Sequence, residues 1–409
     1  MGTASIVLNL AWRNLWRNYR RTVIMLMAVV VGVWAMIFMS AMMRGMVDGM
    51  LVDSIRSLPG HVQIHNPNFR DDPTVNNLFP SPNENLIAVL EQEDVVAWSS
   101  RVRVPAVVMS ERNSRGITLV GIDPVAEASV SSVADDMTEG QFLSGTEDTG
   151  LILGRRLAER LETEVGKRVV VLTQDPSNEI VDRGFRVIGV YEAQVASTEE
   201  IYAFAGRSTL QMLLGIGGQV SEIAVLGADY RDTEALHHRI NTAVGNRLEV
   251  LPWYELNRYL SSMLGMMDGF VLIWIVVIFL ALSFGLVNTL VMSVFERVRE
   301  IGLMMALGMK PAVILGQIIA ESLMLLGMGL LIGNVFAWAT IQQLREGIDL
   351  SAVSEGLEMM GAGSVLTPSL QTSDMVMATI VVLVLGFLAS LLPAVRASRY
   401  HPVDAITKV

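Results

Sequence analysis

Cysteine is absent from all 409 residues. That excludes disulfides, thiolate nucleophiles and Cys-based metal sites in any compartment. Charge is scarce as well. Asp, Glu, Lys and Arg make up 17% of the chain, against about a quarter in an ordinary soluble domain. The P-loop pattern GxxxxGK(S/T) is missing, because Gly166-Lys167 is followed by Arg168. The five histidines are scattered and read as surface residues. His61 and His65 lie in a strand-like HVQIH, where positions i and i+4 stand ~13 Å apart, too far for one metal. No Ser-His-Asp order and no carboxylate pair stands out. The residues offer no metal, cofactor or catalytic site, so any energy for work must come from outside this chain.

The charge deficit is local. Residues 22–43, 269–295, 322–344 and 375–395 carry no charge at all. Each run is long enough to cross ~30 Å of hydrocarbon as a helix. The expected fold class is a membrane α-helical protein with an α+β ectodomain: four transmembrane helices, one before and three after a large extracytoplasmic domain. The first run follows Arg13, Arg17, Arg20 and Arg21, yet it exceeds the ~7–15 residues of a signal-peptide apolar region, so it reads as an uncleaved anchor. Lys and Arg set the orientation. They dominate residues 1–21, 296–310 and 396–409, which are expected in the cytoplasm, with both termini there. Residues 44–268 hold 19 basic and 32 acidic residues, and 345–374 is acidic too, so both are expected outside. An acidic ectodomain argues against nucleic acid as a partner.

The stretch FERVREIGLMMALGM at 295–309 sits between two apolar runs. Gly308 stops it and Pro311 opens the next run, the grammar of a short helix wedged between longer ones. Glu296, Arg297, Arg299 and Glu300 lead it, and Glu296, Arg299 and Glu300 are spaced for i,i+3 and i,i+4 pairs that stiffen a short helix. Leu303, Met304 and Leu307 offer an apolar face, and Gly302 and Ala306 are small enough for close approach. Such a segment is either a solvated loop or the place where a soluble machine pushes on the spans. The second reading is the one taken here.

Other patterns are weaker. Residues 5–21 place Ile6, Leu10, Trp12, Leu15, Trp16 and Tyr19 at helical spacing with Arg opposite, which suits a helix in the headgroup layer or a simple topogenic flank. Met36, Met39, Met43, Met46 and Met50 form one helical stripe, with Met263, Met266 and Met267 just before the second span. Met adapts to irregular ligands, so the stripe reads as an acyl-chain or peptide groove at the outer leaflet, or as ordinary packing and lipid contact. The third span (311–344) carries Gly329 and Gly333 as a GxxxG, a face for close helix approach. Glu321 precedes its charge-free part and reads as interfacial, the other reading being a buried partner for Arg297 or Arg299. The ectodomain alternates strand-like patches (60–65, 101–109, 116–120, 185–191, 222–226) with helical ones (83–90, 207–214, 233–244). Residues 150–172 read as strand, helix, strand with a turn at Gly166. A polar stretch at 125–148 reads as the join between two lobes.

Three regions then resemble a known family: LAWRNLWRNYRRT at 10–22, ERVREIGLMMALGMKPAVILGQIIAESLMLLGMGLLIG at 296–333, and LPAVRASRYHPVDAI at 392–406. GHVQIH, LILGRRLAERL…VGKRVVVL, FRVIGVY and Trp253 are similar too. The chain resembles the MacB/FtsX-like permeases of ABC transporters, including the lipoprotein-releasing LolC/LolE permeases. The resemblance implies a permease with no catalytic role and no bound cofactor. ATP and Mg would sit in a separate dimeric ATPase subunit docked on the coupling helix, 296–307. A second permease subunit, identical or homologous, would complete the machine, with membrane lipid and an extracytoplasmic lipoprotein or adaptor as further partners, in a bacterial cytoplasmic membrane. The family works by mechanotransmission. The chain lacks the ATPase fused in MacB, exceeds the cell-division FtsX permeases in length, and has fewer than the ten spans of bacitracin-resistance permeases. The lipoprotein-releasing type or an uncharacterised relative of it fits best. The alternative is an FtsX-like signalling mechanotransmitter that switches an external partner and transports nothing.

Overall fold

The computed structural model describes residues 3–193, 196–349 and 365–398. Parts of the tail at 396–409 and of the loop at 345–374 therefore lie outside the described residues, as does His401. The chain divides into two compact units. One comprises Met1–Val47, Leu264–Asp349 and Val365–Val409, the other Asp48–Met263 and Leu350–Ser364.

In the first unit the four charge-free runs fall, to within one residue, on helices Tyr19–Ser57, Arg258–Glu296, Pro311–Gln343 and Thr372–Ser398, the first to fourth spans. The first two contain 39 residues each, ~58 Å of helix, well beyond the hydrocarbon thickness. They outrun their apolar cores because the charges met on the way find partners. Arg44 makes a two-pronged contact with Asp374 (2.5 and 2.7 Å) and reaches Asp268 at 2.5 Å. In the bundle core, Val33, Met36 and Ile37 of the first span meet Ile275 and Phe279 of the second and Leu326 and Leu330 of the third.

Small residues set the closest approaches. A Cβ on Gly329 would stand 2.4 Å from Val29 Cγ1, and one on Gly333 2.8 Å from Val33 Cβ. The GxxxG face thus seats the first span. Gly327, exposed, meets nothing within 4 Å. At the end away from the N-terminal helix, Gly45 lies against the backbone of Thr367, and Ser369 N–H donates to Ala41 O at 2.9 Å.

The second unit is α+β, built on one ten-stranded sheet. Its organiser is the long strand Val95–Met109. Residues 95–101 of this strand pair with Glu222–Gly227, which continues through Val62–His65 to Glu249–Pro252. Helices Glu84–Leu90 and Thr233–Val244 cover that lobe around Ile64, Leu90, Ile223 and Ile240. Residues 102–109 pair with Ser114–Ile122 on one side, and residues 106–109 pair with Arg168–Gln174 on the other. From there Tyr202–Gly206, Gly150–Gly154 and Ile180–Tyr191 close the pairing into a ring of six strands. Alternate residues fill the ring: Val102, Val104, Ala106 and Val108 point in, while Val107 and Met109 stay exposed, the period of two expected of strands.

The expected join at 125–148 is therefore corrected. The two lobes share a strand, and the switch falls between Arg101 and Val102. Residues 125–148 contribute instead helix Pro124–Val130, capped by Asp123, and strand Met137–Gly140. Arg101 is fully buried at the switch. Its guanidinium meets both oxygens of Glu127 (2.9 and 2.6 Å), Glu222 (3.1 Å) and Leu58 O (2.5 Å). Burial pushes the Glu127 carboxyl up, but Arg101 outweighs that and holds it below the usual carboxylate value. The histidine reading is corrected as well. His61 and His65 are buried, and His61 Nδ1 accepts from Gly227 N–H at 2.9 Å.

Candidate coupling site

The charged segment folds as helix Val298–Ala306. It is jointed at both ends. Arg297 breaks it from the second span (φ −112°, ψ 9°). At the other end Gly308 takes φ +94°, a left-handed value that glycine adopts without strain. There Met309 N–H donates to Met304 O, and Gly308 N–H to Met305 O, the Schellman pattern. Pro311 then starts the third span.

The helix has two faces. Val298, Ile301 and Gly302 are buried. Arg299, Leu303, Ala306 and Leu307 are exposed and fall at positions i, i+4, i+7 and i+8, one stripe. Leu303 is 56% and Leu307 81% exposed. Gly302 therefore faces inward, a correction to its expected place on a docking surface. Met304 lines a cavity of about 200 Å³ between this helix, the N-terminal helix Thr3–Arg17 and the third span, together with Leu10, Asn14, Ile301, Gln317 and Ile318.

The expected pairing within the segment is corrected too. Its acids bond to the end of the N-terminal helix and to the foot of the first span. Arg17 meets both oxygens of Glu300 at 2.8 Å. Arg21 meets Glu296 at 2.7 Å and donates to Ser293 Oγ at 2.9 Å. The hydrogen bond from Arg17 holds the Glu300 carboxyl below its usual range. Arg297 donates to Glu321 at 3.2 Å and to Asn14 O at 3.0 Å. Glu321 is buried, so its interfacial reading gives way to the partnership with Arg297. Close by, Gln317 Oε1 is buried without a hydrogen-bond partner among the described residues.

Sequence reasoning missed Arg17 and Arg21 as partners of this segment. The signal was present: two Arg four apart before the first span, and two Glu four apart at 296 and 300. The Met stripe is mixed. Met36 and Met267 are buried, Met39 and Met266 are exposed, and Met43 and Met46 are half-buried. Met50, buried, and Met263, half-buried, belong to the other unit.

Comparison with known proteins places this arrangement. The MacB-like periplasmic core domain matches residues 22–243, more than half the chain. This chain belongs to the MacB/FtsX-like permease family. The FtsX-like permease C-terminal domain matches residues 272–402, which include helix Val298–Ala306 and most of the last three spans. The lipoprotein-releasing system transmembrane protein LolC of Neisseria meningitidis is 25% identical over 338 residues, 79% of this chain and 80% of its own. The macrolide export ATP-binding/permease protein MacB of Hyphomonas neptunium is 26% identical over 434 residues, 97% of this chain and 60% of its own. The pyoverdine export ATP-binding/permease protein PvdT of Pseudomonas syringae pv. tomato is 25% identical over 435 residues, 97% of this chain and 58% of its own. This permease is thus a multi-pass membrane protein of the ABC transporter class. The three relatives, named for a lipoprotein, a macrolide and pyoverdine, stand at 25–26% identity to this chain.

Proposed function

We propose that this permease converts ATP binding and hydrolysis on separate ATPase subunits into release or export of a lipoprotein, lipid or other amphiphile at the extracytoplasmic leaflet. Helix Val298–Ala306 receives the ATPase, and two permease protomers, identical or homologous, form the working unit. The carrying observation is the exposed stripe Leu303, Ala306 and Leu307 on a short helix whose opposite face is already packed. An exposed apolar stripe among charges is the mark of a helix that seats in a partner's groove. The Arg-rich flanks support a cytoplasmic position for that helix. The lipoprotein-releasing relative spans most of this chain and supports an amphiphilic cargo. Met39, Met43 and Met46 would supply its groove.

The test is co-purification of the permease from its native membrane, with the P-loop ATPase it recovers identified by mass spectrometry. The wild type recovers the ATPase, and Leu303→Asp with Leu307→Asp loses it. A wild-type permease that recovers no ATPase ends this reading. Met43→Asp with Met46→Asp keeps the complex and stops cargo release; intact release removes the groove.

A further inference from the structure

The joints at Arg297 and Gly308 pose a mechanical problem. A push on Val298–Ala306 can be absorbed by rotation at both ends, so its covalent links to the second and third spans transmit force poorly. The firm links are to the other end of the chain. Arg17 grips both oxygens of Glu300, Arg21 grips Glu296 and Ser293, and Arg297 donates back to Asn14 O. Arg17, the last residue of the arm, thus faces Glu300 on the coupling helix, while Arg21, in the first turn of the first span, faces Glu296 at the foot of the second span, so the two pairs stand on either side of the joint at Arg297. The arm continues, after the turn at Asn18, into the single helix Tyr19–Ser57. Behind the contact lies the cavity of about 200 Å³, which leaves the coupling helix room to move without repacking a core.

We propose that Arg17 and Arg21 with Glu300 and Glu296 form a clamp that carries the stroke of the coupling helix directly to the first span. The inference rests on the coupling role proposed above and adds its route. The N-terminal helix is then part of the drive and does more than flank the membrane. Arg17, Arg21, Glu296 and Glu300 are positioning residues: they touch neither nucleotide nor cargo. Their exposure suits this task. Each ion pair alone is weak in water, but two in register, one of them bidentate, fix direction as well as distance.

The chain has no cysteine of its own, so introduced thiols report without background. The experiment uses the full permease with its co-purifying ATPase in membrane vesicles. Val52→Cys, on the continuous first helix and 40% exposed, reports motion through its rate of maleimide labelling. With the native clamp, ATP changes that rate by about threefold or more, the response expected when a ligand shifts a minor state. E296R with E300R loses the response in vesicles matched to the native protein for bound ATPase. Adding R17E and R21E restores it with the charges exchanged.

A second measurement does not depend on how the reversed variants fold. A disulfide between R17C and E300C, formed by oxidation, locks the two elements together. Labelling of V52C still responds to ATP in the locked protein. The proposal is overturned if the native permease shows no ATP response at V52C, if E296R/E300R responds normally, or if the disulfide abolishes a response that reductant restores. Loss of ATPase binding by the native permease is a different result and sinks the coupling role itself.

Discussion

The Arg297–Glu321 pair allows the sharpest test of how the coupling helix is held. Its side chains are 10% and 8% exposed and meet at 3.2 Å. At an effective dielectric near 20 that separation is worth about 5 kcal/mol of attraction. Removing Glu321 leaves a buried guanidinium with Asn14 O as its remaining acceptor among the described residues. A broken buried pair costs about 3–5 kcal/mol. The Arg17–Glu300 pair is the internal control. It is shorter, at 2.8 Å, but its side chains are 53% and 50% exposed, and such pairs contribute only about 0–1 kcal/mol. Burial rather than distance therefore decides the order. The assay is hydrogen exchange of the Val298–Ala306 amides in the full permease, read by mass spectrometry. Glu321→Ala speeds exchange by roughly 150-fold or more, the equivalent of about 3 kcal/mol of local opening. Arg17→Ala changes it less than about fivefold. Exchanging both buried partners for Met, as R297M with E321M, recovers most of the protection, because no charge is then left unpaired. If Glu321→Ala and Arg17→Ala speed exchange equally, the pair does not hold this helix and the argument from burial fails.

Four further outcomes follow from the same structure. Gly333→Leu, forced against Val33, destabilises the bundle by about 1–3 kcal/mol in a detergent unfolding titration, while Gly327→Leu stays within about 0.5 kcal/mol. Arg101→Ala strands Glu127 and Glu222 at the lobe switch and costs about 3–5 kcal/mol, seen as accelerated exchange across 95–109. His61, held below its ordinary 6.5 by burial despite Asp229 nearby, takes up a proton less readily folded than unfolded. The unfolded chain takes up the proton first, so this contribution is present above pH 6.5 and falls as pH drops below it, by at most about 1.4 kcal/mol per pH unit. His61→Asn keeps an acceptor for Gly227 N–H and flattens that part of the pH profile of thermal unfolding.

Much of the fold was legible because it is written in period and punctuation. Charge-free runs marked all four spans, since hydrocarbon tolerates nothing else over ~20 residues. Helix Arg207–Leu214 and helix Thr233–Val244 were read with their observed bounds. Gly308 and Pro311 announced the ends of the coupling helix because left-handed backbone and N1 positions are chemically restrictive. What composition concealed was pairing over distance. The polar residues at 125–148 suggested a linker, yet Glu127 is buried there only because Arg101 lies opposite it. A lone strand arginine and a lone helical glutamate each look solvated in sequence, and only their meeting shows otherwise.

The coupling site repeats that lesson with opposite signs of burial. Local spacing assigned Glu296 and Glu300 to partners on their own helix, because i,i+4 neighbours are the only contacts a single helix guarantees. The fold instead supplies Arg21 and Arg17, 275 and 283 residues away. An intrahelical pair would stiffen the segment and leave it mechanically isolated between two joints. A pair to the N-terminal arm makes the segment answerable to the first span. The same four charges therefore describe a passive loop in one pairing and a linkage in the other, and only the linkage makes the beginning of the chain part of the machinery in its middle.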